Sequence, residues 1–102
     1  MRFGPWYPLD ESDDHAPAEG GVLQLRRANG LVEYPTGKSA MVHYEHAVDV
    51  RAAAHALAGT HREDDLLCRH LIEVPPATDL AAFCAKLRDD FVLRFGAPPS
   101  PR

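Results

Sequence analysis

Residues able to do chemistry cluster in the middle of this chain: His43, Tyr44, Glu45, His46 and, a little further on, Arg51. Imidazole and carboxylate groups exchange protons near neutral pH, and a guanidinium neutralises an anionic ligand or a charge that develops during reaction. These residues bracket a point where a strand pattern gives way to a helix pattern. A helix N-terminus there would add unpaired amides and a partial positive charge. His43, Glu45, His46 and Arg51 are therefore the candidate ligand-binding residues. The catalytic candidates, none of them decisive, are His43, Tyr44, Glu45 and Arg51. The same segment also fits a solvated turn with an aspartate cap at Asp49.

Other constellations carry less. The chain holds six histidines; His43 and His46 are close in sequence, and Cys68 and His70 project from one strand face. Zinc requires about four such ligands converging tetrahedrally, and the two pairs lie on different elements, so no metal site is expected. Cys68 and His70 stand ~6.5–7 Å apart along a strand axis, too far for a thiol–imidazole pair to pass a proton easily. Pro35-Thr36-Gly37-Lys38-Ser39 resembles the end of a phosphate-binding loop. That motif requires a glycine where Val32 stands and a large α/β core behind it, so a glycine turn followed by a solvated lysine is expected instead.

The elements that must position these residues fit one small domain. A chain of 102 residues buries roughly 60–70% of its unfolded surface, enough for one modest core. Apolar residues make up 45% and charged residues 25%, ordinary for a globular protein. No apolar run approaches the ~20 residues that cross a bilayer. The start, MRFGPWYPLDESDD, has neither a basic opening nor an apolar stretch, so no secretory signal and a cytoplasmic location are expected. Cys68 and Cys84 sit among apolar residues and read as buried free thiols. The net charge is −4 and the eleven Lys and Arg are scattered, which argues for weak or no binding to nucleic acid.

Along the chain, residues 1–19 read as an irregular segment, punctuated by Pro5, Pro8 and Pro17, with an acidic patch at Asp10, Glu11, Asp13 and Asp14. Phe3, Trp6 and Tyr7 suggest that it packs back on the domain. The body is residues 20–95, and residues 96–102 read as a frayed tail. Asn29-Gly30 between two β-prone runs predicts a two-residue hairpin with Arg26 opposite Glu33 and Leu25 opposite Tyr34. Residues 40–44 form a third strand with Ala40, Val42 and Tyr44 on one face. Asp49 caps a helix running to Gly59, with Val50, Ala53, Ala54 and Leu57 inward. Residues 66–74 form a central strand. Thr78 caps a last helix that ends at Gly96, with Leu80, Phe83, Cys84, Leu87 and Phe91 as its core stripe. The expected class is α+β: a small, mainly antiparallel sheet with two packed helices, in the order β-β-β-α-β-α.

That order, with certain residues, resembles the GIY-YIG nuclease superfamily over about residues 17–74. Gly21-Val22-Leu23 follows Pro17 at the interval at which the family's first tripeptide follows a proline. Asp49-Val50-Arg51 opens the helix as the family's Asp/Asn-Leu-Arg does, which sets His43-Tyr44-Glu45 at the second tripeptide. A second alignment instead matches Tyr34-Pro35-Thr36-Gly37-Lys38-Ser39 to the family's Tyr-x-Gly-Lys segment, with one insertion.

The resemblance implies a nuclease ancestry, and the departures imply lost chemistry. The family uses its first tyrosine, a helix arginine and a metal-binding glutamate on a later helix, parts that phosphodiester hydrolysis requires. Leu23 replaces the tyrosine, Ala53 stands at the arginine, and residues 79–95 contain no glutamate. The expectation is a degenerate, catalytically silent GIY-YIG-like domain of bacterial type, acting as a small binding or adaptor module without a cofactor. A divergent nuclease using Tyr44 or Tyr34 with Arg51 and Glu45, and Mg²⁺ or Mn²⁺, is the alternative. A third reading is a structural homo-oligomer. A protein partner or a second copy is the expected contact, with no membrane.

Overall fold

The computed structural model describes residues 1–101. Strand β3 (Gly21–Arg27) is its centre. Val22, Leu23 and Leu25 are fully buried and Gln24 nearly so. A strand without a solvated face must be covered by a layer on each side, and the chain supplies both.

The five-stranded antiparallel sheet is built around it. β6 (Met41–Ala47) pairs with one edge of β3 and β7 (Leu66–Glu73) with the other. Two short strands, β1 (Arg2–Phe3) and β2 (Tyr7–Pro8), run along the outer edge of β7. Between them the Gly4 amide donates to the His70 carbonyl at 2.9 Å. Prolines and a broken edge of this kind discourage further strand addition. A 3₁₀ helix, Leu9–Asp14, follows.

Helix α1 (Val50–Thr60) covers one face with the 3₁₀ helix, packing Val50, Ala53, Ala54 and Leu57 against Tyr7, Leu9, Leu23, Leu25, Val42, Leu66 and Cys68. Asp49 caps it as expected, its carboxylate accepting from the Ala52 amide at 3.0 Å. Helix α2 (Leu80–Phe95) covers the other face. There Leu80, Phe83, Cys84, Leu87 and Phe91 meet Val22, Tyr44 and Leu71, which is the stripe read from spacing. α2 also leans over the outer edge of the sheet, where Arg88 Nη1 donates to the Tyr44 carbonyl at 3.1 Å. No helix among the described residues is long and apolar enough to cross a membrane. The small α+β architecture with a mainly antiparallel sheet and two packed helices is therefore present.

Several expectations change. Gly30 does adopt a positive φ of 77°, but the turn does not join paired strands. Leu25 lies opposite His43 and Cys68, and Arg26 opposite Met41 and Leu67. The predicted hairpin partner instead forms its own ribbon, β4 (Val32–Tyr34) with β5 (Gly37–Ser39), turning at Pro35-Thr36 and placing Glu33 opposite Lys38. The longer apolar strands β6 and β7 bury more of β3 than the three residues of β4 could, and tertiary burial overrides the local turn signal.

Val42 and Tyr44 do not share a face. The register shifts where Leu25 faces His43 but Arg26 faces Met41, so Val42 enters the α1-side core and Tyr44 the α2-side core. Asp79, not Thr78, caps α2, through the Ala82 amide; the Thr78 hydroxyl donates to the Pro75 carbonyl instead. The N-terminal segment is more regular than its prolines suggest. The C-terminal residues also pack back: Pro99 is buried, and the Ser100 amide donates to the Tyr34 hydroxyl at 3.2 Å.

Phe91 is the keystone of the α2 face. Its ring meets Tyr34 edge-on at 4.9 Å and Tyr44 at 5.8 Å, and lies 4.5 Å from Phe95. Phe91→Ala should cost ~3–5 kcal/mol in urea unfolding, by loss of burial and creation of a cavity. A midpoint close to that of the wild type would show that this face is not the core.

Candidate functional site

The strand-to-helix turn does not assemble its candidate residues into one constellation. His43 Nε2 and Glu45 Oε1 meet at 2.8 Å, and both side chains are half-buried. The register sets them opposite Leu25 and Leu23, on the α1 side of the sheet. His46 stands opposite Val22 and is exposed toward the α2 side, while Tyr44 is buried there beneath Phe91. Arg51 turns toward the N-terminal segment, its Nε donating to the Ala16 carbonyl at 2.7 Å.

The helix N-terminus is occupied as well. The Val50 amide donates to the Glu19 carbonyl, the Arg51 amide to the Pro17 carbonyl and the Ala52 amide to the Asp49 carboxylate. Amides already bonded to the protein are not free to bind an anion. The polar features of this turn therefore serve to fasten residues 16–19 to α1.

A second cluster lies inside the α1-side core. The Tyr7 hydroxyl is 2.8 Å from His70 Nδ1, and Cys68 Sγ donates to the Tyr7 oxygen at 3.6 Å. The Tyr7 ring stacks on His15 at 4.8 Å. Tyr7, brought by the N-terminal segment, bridges the two residues whose spacing had ruled out a direct pair. Burial pushes the Cys68 thiol up to about 11, against a smaller opposite effect from its bond to Tyr7. Burial also raises the Tyr7 phenol, with Cys68 adding to the rise. It lowers the His70 imidazole, with His15 adding to the lowering and Glu19 opposing it. All three groups are held neutral, so the thiol is a poor nucleophile. The other free cysteine, Cys84, is also buried and its thiol raised by that burial.

A third cluster was not found from sequence. On the α2 side of the sheet, Arg69 of β7 lies beside Gln24 of β3, and its Nε donates to Gln24 Oε1 at 2.7 Å. Its guanidinium sits 4.7 Å from the Phe3 ring centroid and 4.4 Å from that of Trp6. Arg26 reaches the same indole at 5.3 Å, and its Nε donates to the Arg27 carbonyl. Neither arginine has a carboxylate within 4 Å among the described residues. Burial draws the Arg69 guanidinium below its ordinary pKa; Tyr44 nearby opposes this and Arg26 adds to it. The strand pairing that joins residues 26 and 69 to one face is long-range, so periodicity alone gave no signal of it.

A cleft of about 300 Å³ opens beside the loop before β7, lined by Arg27, Asn29, Glu63, Asp64 and Asp65 among others. Two of its polar groups are tied to each other, Asn29 Nδ2 donating to Asp65 Oδ2 at 3.1 Å. Asp64, which also lines it, is paired with His61 at 3.1 Å. Among the described residues no group of three or more His, Cys, Asp or Glu is placed to hold a metal ion.

The neutral cluster sets a pH dependence. His70 has a folded pKa below its ordinary 6.5. The unfolded chain therefore takes up a proton first as pH falls below that value, and native stability drops there. Cys68 works in the opposite direction: its contribution is intact below pH 9.0 and is lost as pH rises toward about 11. Between about pH 7 and about pH 5, wild-type urea midpoints should fall more steeply than those of His70→Gln. Parallel curves would remove His70 from the account.

Compared with protein-family models, with curated proteins and with solved structures, the chain matches none.

Proposed function

We propose that this chain is a small non-catalytic binding module on a GIY-YIG-like scaffold. The observation that carries the reading is the contrast between its polar clusters. The groups able to transfer protons or attack a substrate are held neutral, as in Tyr7, Cys68 and His70, or engaged with the scaffold, as in Arg51. Arg26 and Arg69, in contrast, stand together over an indole with no counter-charge among the described residues. Such a face suits recognition better than hydrolysis, because it supplies cations and aromatic surface without a base or a metal ligand set.

The nuclease alternative would need Arg51 and Glu45 free to meet a phosphodiester and a divalent ion. Glu45 is paired with His43, and Arg51 is bonded to Ala16, so both would have to exchange partners first. With two arginines rather than a basic stripe, and a net charge of −4, binding to random duplex DNA should be weak at physiological salt.

A nicking assay on plasmid and branched DNA with Mg²⁺ or Mn²⁺ tests the reading. No metal-dependent cleavage is expected. Arg51→Ala should instead lower stability by about 1 kcal/mol, through loss of its bond to the Ala16 carbonyl. Clean metal-dependent cleavage that disappears in Arg51→Ala would overturn the binding-module reading in favour of a divergent nuclease.

A further inference from the structure

We propose that Arg26 and Arg69, beside Trp6, form a binding site for a phosphate monoester dianion. The proposal rests on the binding-module reading and names the ligand class of its recognition face.

The first support is the way each guanidinium is held. Nε of Arg69 is bonded to Gln24 Oε1 at 2.7 Å, and Nε of Arg26 to the Arg27 carbonyl at 3.3 Å. One edge of each planar group is therefore fixed to the sheet. The terminal Nη groups of both have no protein partner among the described residues. Both residues are half-buried, and no buried side-chain nitrogen or oxygen lacks a hydrogen bond among those residues. The Nη ends consequently reach solvent. A guanidinium fixed through Nε with its Nη donors open is a preorganised oxyanion fork.

The second support is charge. Two cations lie against one indole, and burial draws Arg69 below its ordinary pKa with Arg26 adding a smaller contribution. Cation–π attraction to Trp6 and Phe3 offsets part of that cost. It does not neutralise the pair. A carboxylate would cancel one charge; a phosphate monoester carries close to −2 above its second pKa of about 6 and offers three acceptor oxygens to the two forks. A phosphodiester carries one charge, so the backbone of DNA is the poorer fit.

The third support is construction. Gln24 is buried in the most enclosed strand, and its side-chain oxygen needs a donor. Arg69 provides it, and so cannot swing away without leaving that oxygen unpaired. Trp6 immediately precedes β2, which pairs with β7 at Tyr7 and Cys68. The site thus draws on β3, β7 and the N-terminal segment.

Trp6 is the sole tryptophan of the chain, so its emission reports on the site directly. Wild-type protein is titrated at constant ionic strength, above the second pKa of phosphate, with inorganic phosphate, phenyl phosphate, acetate and a short DNA duplex. Calorimetry runs in parallel, to register binding that leaves the indole unchanged. Saturable binding of inorganic phosphate is expected, tighter for phenyl phosphate, whose ring can lie on the aromatic surface, and about tenfold weaker for acetate. Arg26→Gln and Arg69→Gln should each weaken phosphate binding by about tenfold or more, with Arg26→Lys keeping part of it. Because Arg69→Gln also removes the partner of Gln24, Arg26→Gln with an unchanged urea midpoint is the decisive variant.

No saturable signal in either readout, or binding in Arg26→Gln equal to wild type, would overturn the site. Tighter binding of duplex DNA than of phenyl phosphate would overturn the monoester assignment. Metal-dependent cleavage by the wild type would count against the non-catalytic reading alone, so failure of the site and failure of that reading are distinguishable.

Discussion

A single hydrogen bond from a half-buried arginine to a buried glutamine connects the core of this protein to its surface. Gln24 lies within β3 between Leu23 and Leu25, almost without exposure, and accepts from Arg69 Nε at 2.7 Å. An amide placed there without a partner would cost about 1–3 kcal/mol. Satisfying it fixes Arg69 on the α2 face of β7, and the apolar stem and flat head of Arg69 then provide a surface for Phe3 and Trp6. The N-terminal segment is held from the opposite face as well, where Tyr7 enters the α1-side core and meets Cys68 and His70. Neighbouring residues of this segment, Trp6 before β2 and Tyr7 within it, therefore fasten to the two faces of the sheet. The polar network in the core and the cationic patch outside follow from one short stretch of chain.

The helices were legible because their signals are local. Asp49 and Gly96 mark boundaries through backbone geometry that needs only near neighbours: an aspartate carboxylate for an open amide, and a left-handed residue at φ 80°. The stripe from Leu80 to Phe91 followed from period alone. Pairing of the strands was less legible. The Asn29-Gly30 signal located a turn but not its partners, because β3 gains more from β6 and β7, and these compete for the same edges. Val32, in the displaced β4, instead packs into the α1-side core, while Tyr34 touches both cores.

The candidate site was legible only in pieces. Spacing grouped His43, Glu45, His46 and Arg51 at the turn, but only His43 and Glu45, i and i+2 on one strand face, meet there. It placed Arg51 at a helix start but could not foresee that Ala16 and Pro17 fold back to occupy that start. The Tyr7 bridge between Cys68 and His70, and the meeting of Arg26 with Arg69 over Trp6, depend on contacts between distant parts of the chain. In the sequence these residues appear only as an aromatic N-terminus and scattered arginines. Their chemistry is a product of the sheet.

The central claim is that residues 2–8 are an integral edge of the sheet and hold Trp6 against Arg69. Native-state hydrogen exchange at the Gly4 amide tests it most directly, because that amide donates to the His70 carbonyl at 2.9 Å. The account predicts protection of Gly4 approaching that of the β3 and β7 amides, so that this edge opens only with much of the sheet. Exchange of Gly4 at the rate of an unstructured peptide while β7 remains protected would contradict it. The N-terminal segment would then be a loose strap, and the faces it builds would not persist.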